Sequence, residues 1–135
     1  MNKAIRLMLV SAMLFAVMMI AVAPAFAGGE AAQMWSCELE DETTEAQVIE
    51  GTQKWLAAAK KVKGGENFEA TVLFPVAVNA TGEIDVMLVV TAPTFKEWGE
   101  FWDGYEGSEA AKIETANEEF AVCPDSVLWE SMKVK

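Results

Sequence analysis

Residues Phe68 to Thr91 read FEATVLFPVAVNATGEIDVMLVVT, two β-branched and apolar runs, Phe68 to Val78 and Ile84 to Thr91, on either side of Asn79-Ala80-Thr81-Gly82. Such runs flanking a short turn-forming tetrad predict an antiparallel hairpin. Pro75 has no N–H to give to a ladder, so the first strand of the pair belongs at a sheet edge or carries a bulge.

Helix signals bracket the hairpin. On its N-terminal side Thr44 and Gln47 form a capping box, with carboxylates just ahead that favour the positive end of a helix. Val48, Thr52, Trp55 and Ala59 then recur on one stripe beside Ile49 and Leu56, and Gly64-Gly65 stops the run. On the C-terminal side Thr94 and Glu97 open a second helix that ends near Gly104, and Ser108 caps a third running to about Phe120. Met34 to Leu39 and Val127 to Val134 are the first and last strands. The order is an α+β, ferredoxin-like split β-α-β-β-α-β arrangement, an antiparallel sheet with helices on one face. In that topology the last strand lies beside the first, which brings Cys37 near Cys123, and the second strand takes an edge, where Pro75 is tolerated.

The start of the chain reads as an export signal over Met1 to Ala27. Lys3 and Arg6 precede the apolar run Leu7 to Ala23, and Ala25-Phe26-Ala27 has the small-x-small pattern of a cleavage site. The expectation is a periplasmic or secreted protein, a single domain over residues 28–135, that meets a membrane only through the signal segment before its removal. Two cysteines in an oxidising compartment read as one disulfide, Cys37 with Cys123. Closing so long a loop stabilises by roughly 4 kcal/mol in the chain-entropy model.

Composition excludes more than it selects. Without Lys3 and Arg6 the domain has eight lysines against 21 acidic residues, a net charge of −13, and neither Arg nor His. Polyanions are repelled, so nucleic acid is not an expected partner. The lack of His removes the Ser-His-Asp and Cys-His nucleophiles, His-ligated haem and ordinary catalytic zinc sites, leaving proton transfer to carboxylates, Lys or the only tyrosine, Tyr105.

Phe95, Trp98, Trp102 and Tyr105 recur at helical spacing and are the candidate ligand-binding face, although the same spacing also describes ordinary core. Five Trp in so small a domain cannot all be fully buried, and partly exposed indoles mark a pocket or an interface. Glu69 and Asp85 interrupt apolar strands at positions that face water by alternation. The acidic run Glu38, Glu40, Asp41, Glu42 lacks the spacing of a calcium loop. No catalytic residue, metal site or cofactor is assigned.

The stretches WSCELEDETT (35–44), LFPV (73–76) and FKEWGEFWDGY (95–105) resemble a small group of exported bacterial proteins of unassigned function. In strand and helix order the chain is also similar to the dimeric α+β barrel group. Its ferredoxin-like subunits pair through their sheets, and it includes cofactor-independent monooxygenases and haem-degrading enzymes. The resemblance implies a homodimer; without His, the haem-dependent activities do not carry over. The expectation is a non-catalytic exported module that binds a small apolar ligand or a partner protein through its aromatic face. The alternative is a cofactor-independent monooxygenase-type enzyme in which Tyr105 or a buried carboxylate handles protons.

Overall fold

The computed structural model describes residues 28–77 and 84–134. The signal segment expected over 1–27 and the turn expected at 79–82 lie outside them. The elements are β1 (Glu30–Leu39), α1 (Glu45–Ala59), β2 (Glu69–Leu73), β3 (Val86–Ala92), α2 (Phe95–Asp103), α3 (Glu109–Asn117) and β4 (Ala121–Ser131). The four strands form one antiparallel sheet in the order β2-β3-β1-β4. This is the ferredoxin-like α+β arrangement expected from the element order.

Each helix starts where side-chain chemistry places it. Thr44 accepts from the Gln47 N–H while the Gln47 side chain accepts from the Thr44 N–H, a complete capping box. Thr94 and Ser108 each accept the N–H three residues on, from Glu97 and Ala111.

Boundaries depart from the sequence expectation in several places, with β1 starting at Glu30 rather than Met34 and β3 running Val86–Ala92 rather than Ile84 to Thr91. The first helix ends at Ala59 rather than at Gly64, because residues 60–67 fold into consecutive turns. Gly64 has a φ of +90°, and a Cβ there would run into the carbonyl of Glu97, so this position accepts only glycine. The hairpin's first strand stops at Leu73, two residues before the proline that cannot donate, rather than at Val78. The third helix closes at Asn117, not Phe120. The last strand begins at Ala121, six residues earlier than expected, and runs through Pro124 to Ser131. Pro124 is tolerated because β4 is an edge strand with a register irregularity opposite Ser36 to Glu38.

The Cys37–Cys123 disulfide ties β1 to the start of β4, with Cα atoms 4.0 Å apart. Nearby, the Asp85 carboxylate accepts the N–H of Leu39 at 2.9 Å and secures the end of β1 to the start of β3. Both Asp85 and Glu69 are exposed.

The helices cover one face of β2, β3 and β1. Beneath them Phe68, Trp98, Phe101 and Tyr105 pack with small residues of the sheet and helices, among them Ala31, Ala59, Ala92 and Ala110. The Phe68 ring stacks on Trp98 at 5.5 Å and meets Phe101 at 4.6 Å. Burying a large side chain of this kind stabilises by about 1.5–3 kcal/mol, so these rings dominate the core.

Among the described residues no helix covers the opposite sheet face. Antiparallel register aligns Thr71, Val89, Met34 and Val127 in one row across it, with Glu69, Thr91, Ala32 and Trp129 in the next. Val127 and Trp129 are half exposed, at 50% and 56%.

Candidate functional site

Between α1, α3 and the covered face of the sheet lies a cavity of about 170 Å³. Its sheet side is apolar: Trp35 from β1, Val86, Leu88 and Val90 from β3, and Ala70 from β2. Val48, Thr52 and Trp55 line it from α1, at the spacing of one helical stripe. The Thr52 hydroxyl donates to the carbonyl of Val48, which satisfies its hydrogen within the helix. Glu114, Asn117 and Glu118 line it from α3 and its cap, and because the two glutamates are exposed they mark its mouth.

Close approach of the two helices sets its dimensions. A Cβ on Gly51 would lie 2.6 Å from the ring of Phe120 and 3.1 Å from the Asn117 side-chain oxygen, so α1 and the end of α3 meet at this glycine. Phe120 and Asn117 are themselves cavity residues.

A short polar chain runs behind the wall. The Trp55 indole N–H donates to the Tyr105 hydroxyl at 3.1 Å, and that hydroxyl donates to the Glu114 carboxylate. Burial first, and the bond to Glu114 second, push the Tyr105 pKa far above its ordinary value. The phenol therefore stays protonated at any physiological pH.

The four residues singled out from the sequence separate. Trp98 and Tyr105 are buried, 6% and 8% exposed, whereas Trp102 is partly buried against the same cluster and Phe95 is 44% exposed. Trp102 meets Trp98 at 5.5 Å and Tyr105 at 4.6 Å, both edge-on, so three of the four rings are in mutual contact. None of the four is among the residues lining the cavity. Tyr105 is linked to that wall through its bonds to Trp55 and Glu114.

Two groups of lining residues escape a reading by residue type. Val48, Thr52 and Trp55 form a stripe that looks like any core-facing helix edge, and Glu114 with Glu118 looks like a solvated face. The available signal was Gly51 inside a helical pattern, which marks close approach of another element.

Chemically the cavity suits a small apolar body. It resembles in size a cavity of roughly 150 Å³ that takes up benzene, and two indoles, Trp35 and Trp55, line it. Cys123 also lines it, but as half of the disulfide. Among the described residues no three Asp, Glu, His or Cys side chains are grouped to hold a metal ion, the run Glu38 to Glu42 included. Nor is any described helix long and apolar enough to cross a membrane.

No family model and no curated protein matches the chain. Solved structures with a similar fold include a protein provisionally assigned as a chlorite dismutase, at 7% identity and a TM-score of 0.46, covering 76% of this chain and 44% of that one. A dimeric protein of unknown function and ferredoxin-like fold from Bacteroides fragilis matches at 11% identity and a TM-score of 0.47, covering 78% of this chain and 100% of the other. A mutant chlorite dismutase from Candidatus Nitrospira defluvii matches at 12% identity and a TM-score of 0.39, over 80% of this chain and 42% of that one. The chain thus spans under half the length of the two dismutase structures. Strand order and register carry the fold assignment by themselves.

Proposed function

We propose that this is an exported, non-catalytic module, periplasmic or secreted, that binds a small apolar ligand. The supporting observation is the cavity of about 170 Å³ lined on its inner side by two indoles and aliphatic strand residues. Binding needs shape and apolar surface, which this site has; the aromatic face of Trp98, Trp102 and Tyr105 backs it by fixing α2 and the Trp55 wall. An oxidising compartment suits the disulfide. Titrating small aromatic compounds while following tryptophan fluorescence tests the reading, because Trp35 and Trp55 line the site. Saturable quenching supports it, and no response from any single-ring compound refutes it.

We further propose that two copies pair through the helix-free sheet face. Four strands about 4.8 Å apart, paired over about seven residues on average at about 3.4 Å each, give a footprint of roughly 450 Å² per copy, hence on the order of 1,000 Å² for the pair. That is the size at which specific interfaces begin, and the rows holding Met34, Val89, Val127 and Trp129 supply its apolar centre.

One observation favours an enzyme as the second reading: the Glu114 carboxylate, bonded to Tyr105, is on the cavity wall and is placed to take a proton from a bound molecule. Oxygen consumption or turnover with a bound aromatic substrate would shift the assignment to the monooxygenase-type alternative.

A further inference from the structure

The cavity's mouth is chemically one-sided. Glu114, Asn117 and Glu118 all line it, and their spacing of three and four residues places them on one face of α3 and its cap. All three offer acceptor oxygens, and no Lys is among the lining residues. Two carboxylates four residues apart on a helix repel each other, and a cation between them relieves that repulsion. Behind the mouth the walls are indole and aliphatic, with space for about one ring.

We infer that the ligand is a single-ring aromatic bearing a primary ammonium on a short chain. The ring fills the space against Trp35, Trp55 and Leu88, and the three N–H donors of the ammonium face Glu114, Glu118 and the Asn117 side-chain oxygen. The same mouth rejects carboxylates of the same shape, because the anion meets two like charges and no donor cation. This rests on the cavity being a binding site, as proposed above, and adds which charge that site selects.

Phenethylamine, 2-phenylethanol and phenylacetate share a ring and a short chain but differ in charge. Calorimetric titration of the purified protein with each, in 0.3 M salt to screen the diffuse field of an acidic protein, separates the two claims. The expected result is that the amine binds about tenfold or more tighter than the alcohol, the gain typical of a charge-assisted hydrogen bond, and that phenylacetate does not saturate. In Glu118→Gln the preference for amine over alcohol falls several-fold, while the melting temperature holds, since Glu118 is exposed. Equal binding of alcohol and amine, or tight binding of phenylacetate, overturns the charge selection and leaves the cavity as a binding site. Binding of none of the three overturns both. An amine preference unchanged in both Glu118→Gln and Asn117→Leu shows that the cation is held elsewhere, and also overturns the assignment.

Discussion

The Trp55 indole, on α1, donates a hydrogen bond of 3.1 Å to the hydroxyl of Tyr105, which follows α2, and that hydroxyl in turn donates to Glu114 on α3. One phenol oxygen thus joins the three described helices, and it does so only while it keeps its proton.

The first prediction follows from that proton. The folded protein holds the Tyr105 pKa far above the ordinary value near 10, so the folded state binds this proton more tightly than the unfolded chain. The stabilisation is complete below pH 10 and declines as the pH rises above it. Because Tyr105 is the only tyrosine, the phenolate absorbance near 295 nm reports it alone. No phenolate signal is expected at pH 11 in folded protein, and a full signal on adding denaturant at the same pH. Tyr105→Phe is expected to cost about 1 kcal/mol below pH 10 and to remove the alkaline decline. A phenolate signal at pH 10.5 without unfolding would contradict the assignment.

The disulfide gives the second. Cys37 and Cys123 are 86 residues apart, so their bond removes a large loop entropy from the unfolded chain. Reduction, or the double replacement by Ser, is expected to lower stability by roughly 4 kcal/mol at most in the chain-entropy account. Denaturant midpoints with and without reductant measure it. Equal midpoints would show that the bond contributes nothing to the folded balance.

Much of this architecture was legible from residue chemistry. Thr44, Thr94 and Ser108 each cap a helix because their side-chain oxygens accept a specific N–H three residues on, a local interaction that sequence alone displays. The position of Pro75 next to an edge strand follows from its missing donor. The start of β4 was not legible, since Pro124 and Asp125 are poor strand formers, and only pairing with β1 holds Ala121 to Ser126 extended. The cavity was hidden for a related reason. Its walls come from four strands and two helices, so the site exists only as a distance between elements. Helical spacing did group Trp98, Trp102 and Tyr105, whose rings touch, but periodicity cannot tell a ring that fills a core from one that lines an opening.

Gly51→Ala separates the cavity's shape from the fold's stability. The added methyl meets the tip of the Phe120 ring and the Asn117 side chain, both of which can move aside, while Ala in a helix interior gains about 1 kcal/mol over Gly. A melting temperature within a few degrees of the parent is expected, together with a several-fold loss of affinity for single-ring ligands because Phe120 and Asn117 are displaced in the cavity wall. Unchanged ligand binding at unchanged stability would argue that the α1–α3 junction does not shape the site.

Pairing through the helix-free sheet face carries an ionic signature. Two copies of residues 28–135, each with eight lysines against 21 acidic residues, repel, and salt screens that repulsion over a length of about 8 Å at physiological strength. Dimer affinity is therefore expected to rise several-fold between 20 and 300 mM salt, the opposite of an interface held by ion pairs. Val127→Asp or Met34→Glu, placed in the centre row of that face, should abolish association while leaving the monomer folded. Light scattering across the salt series decides, and a monomer at every salt concentration would end the dimer proposal.

The last prediction sets Trp98 against Trp102. Trp98 is 6% exposed and packs against Trp35, Phe68, Phe101 and Trp102, so Trp98→Ala removes a ring from the middle of the core. The cost is expected to be about 3–5 kcal/mol, a large share of the 5–15 kcal/mol by which such a domain is stable. Trp102 is partly exposed and edges against Tyr105 at 4.6 Å, so Trp102→Ala should cost about half as much and loosen the chain from Tyr105 to Trp55 that backs the cavity. Its signature is a fall in ligand affinity larger than in Trp98→Phe, a milder core change that keeps a ring in place. If Trp102→Ala leaves affinity intact while Trp98→Phe reduces it, the route from the aromatic face to the cavity does not pass through Tyr105, and the wall formed by Trp35, which touches Trp98 at 6.4 Å, is the connection instead.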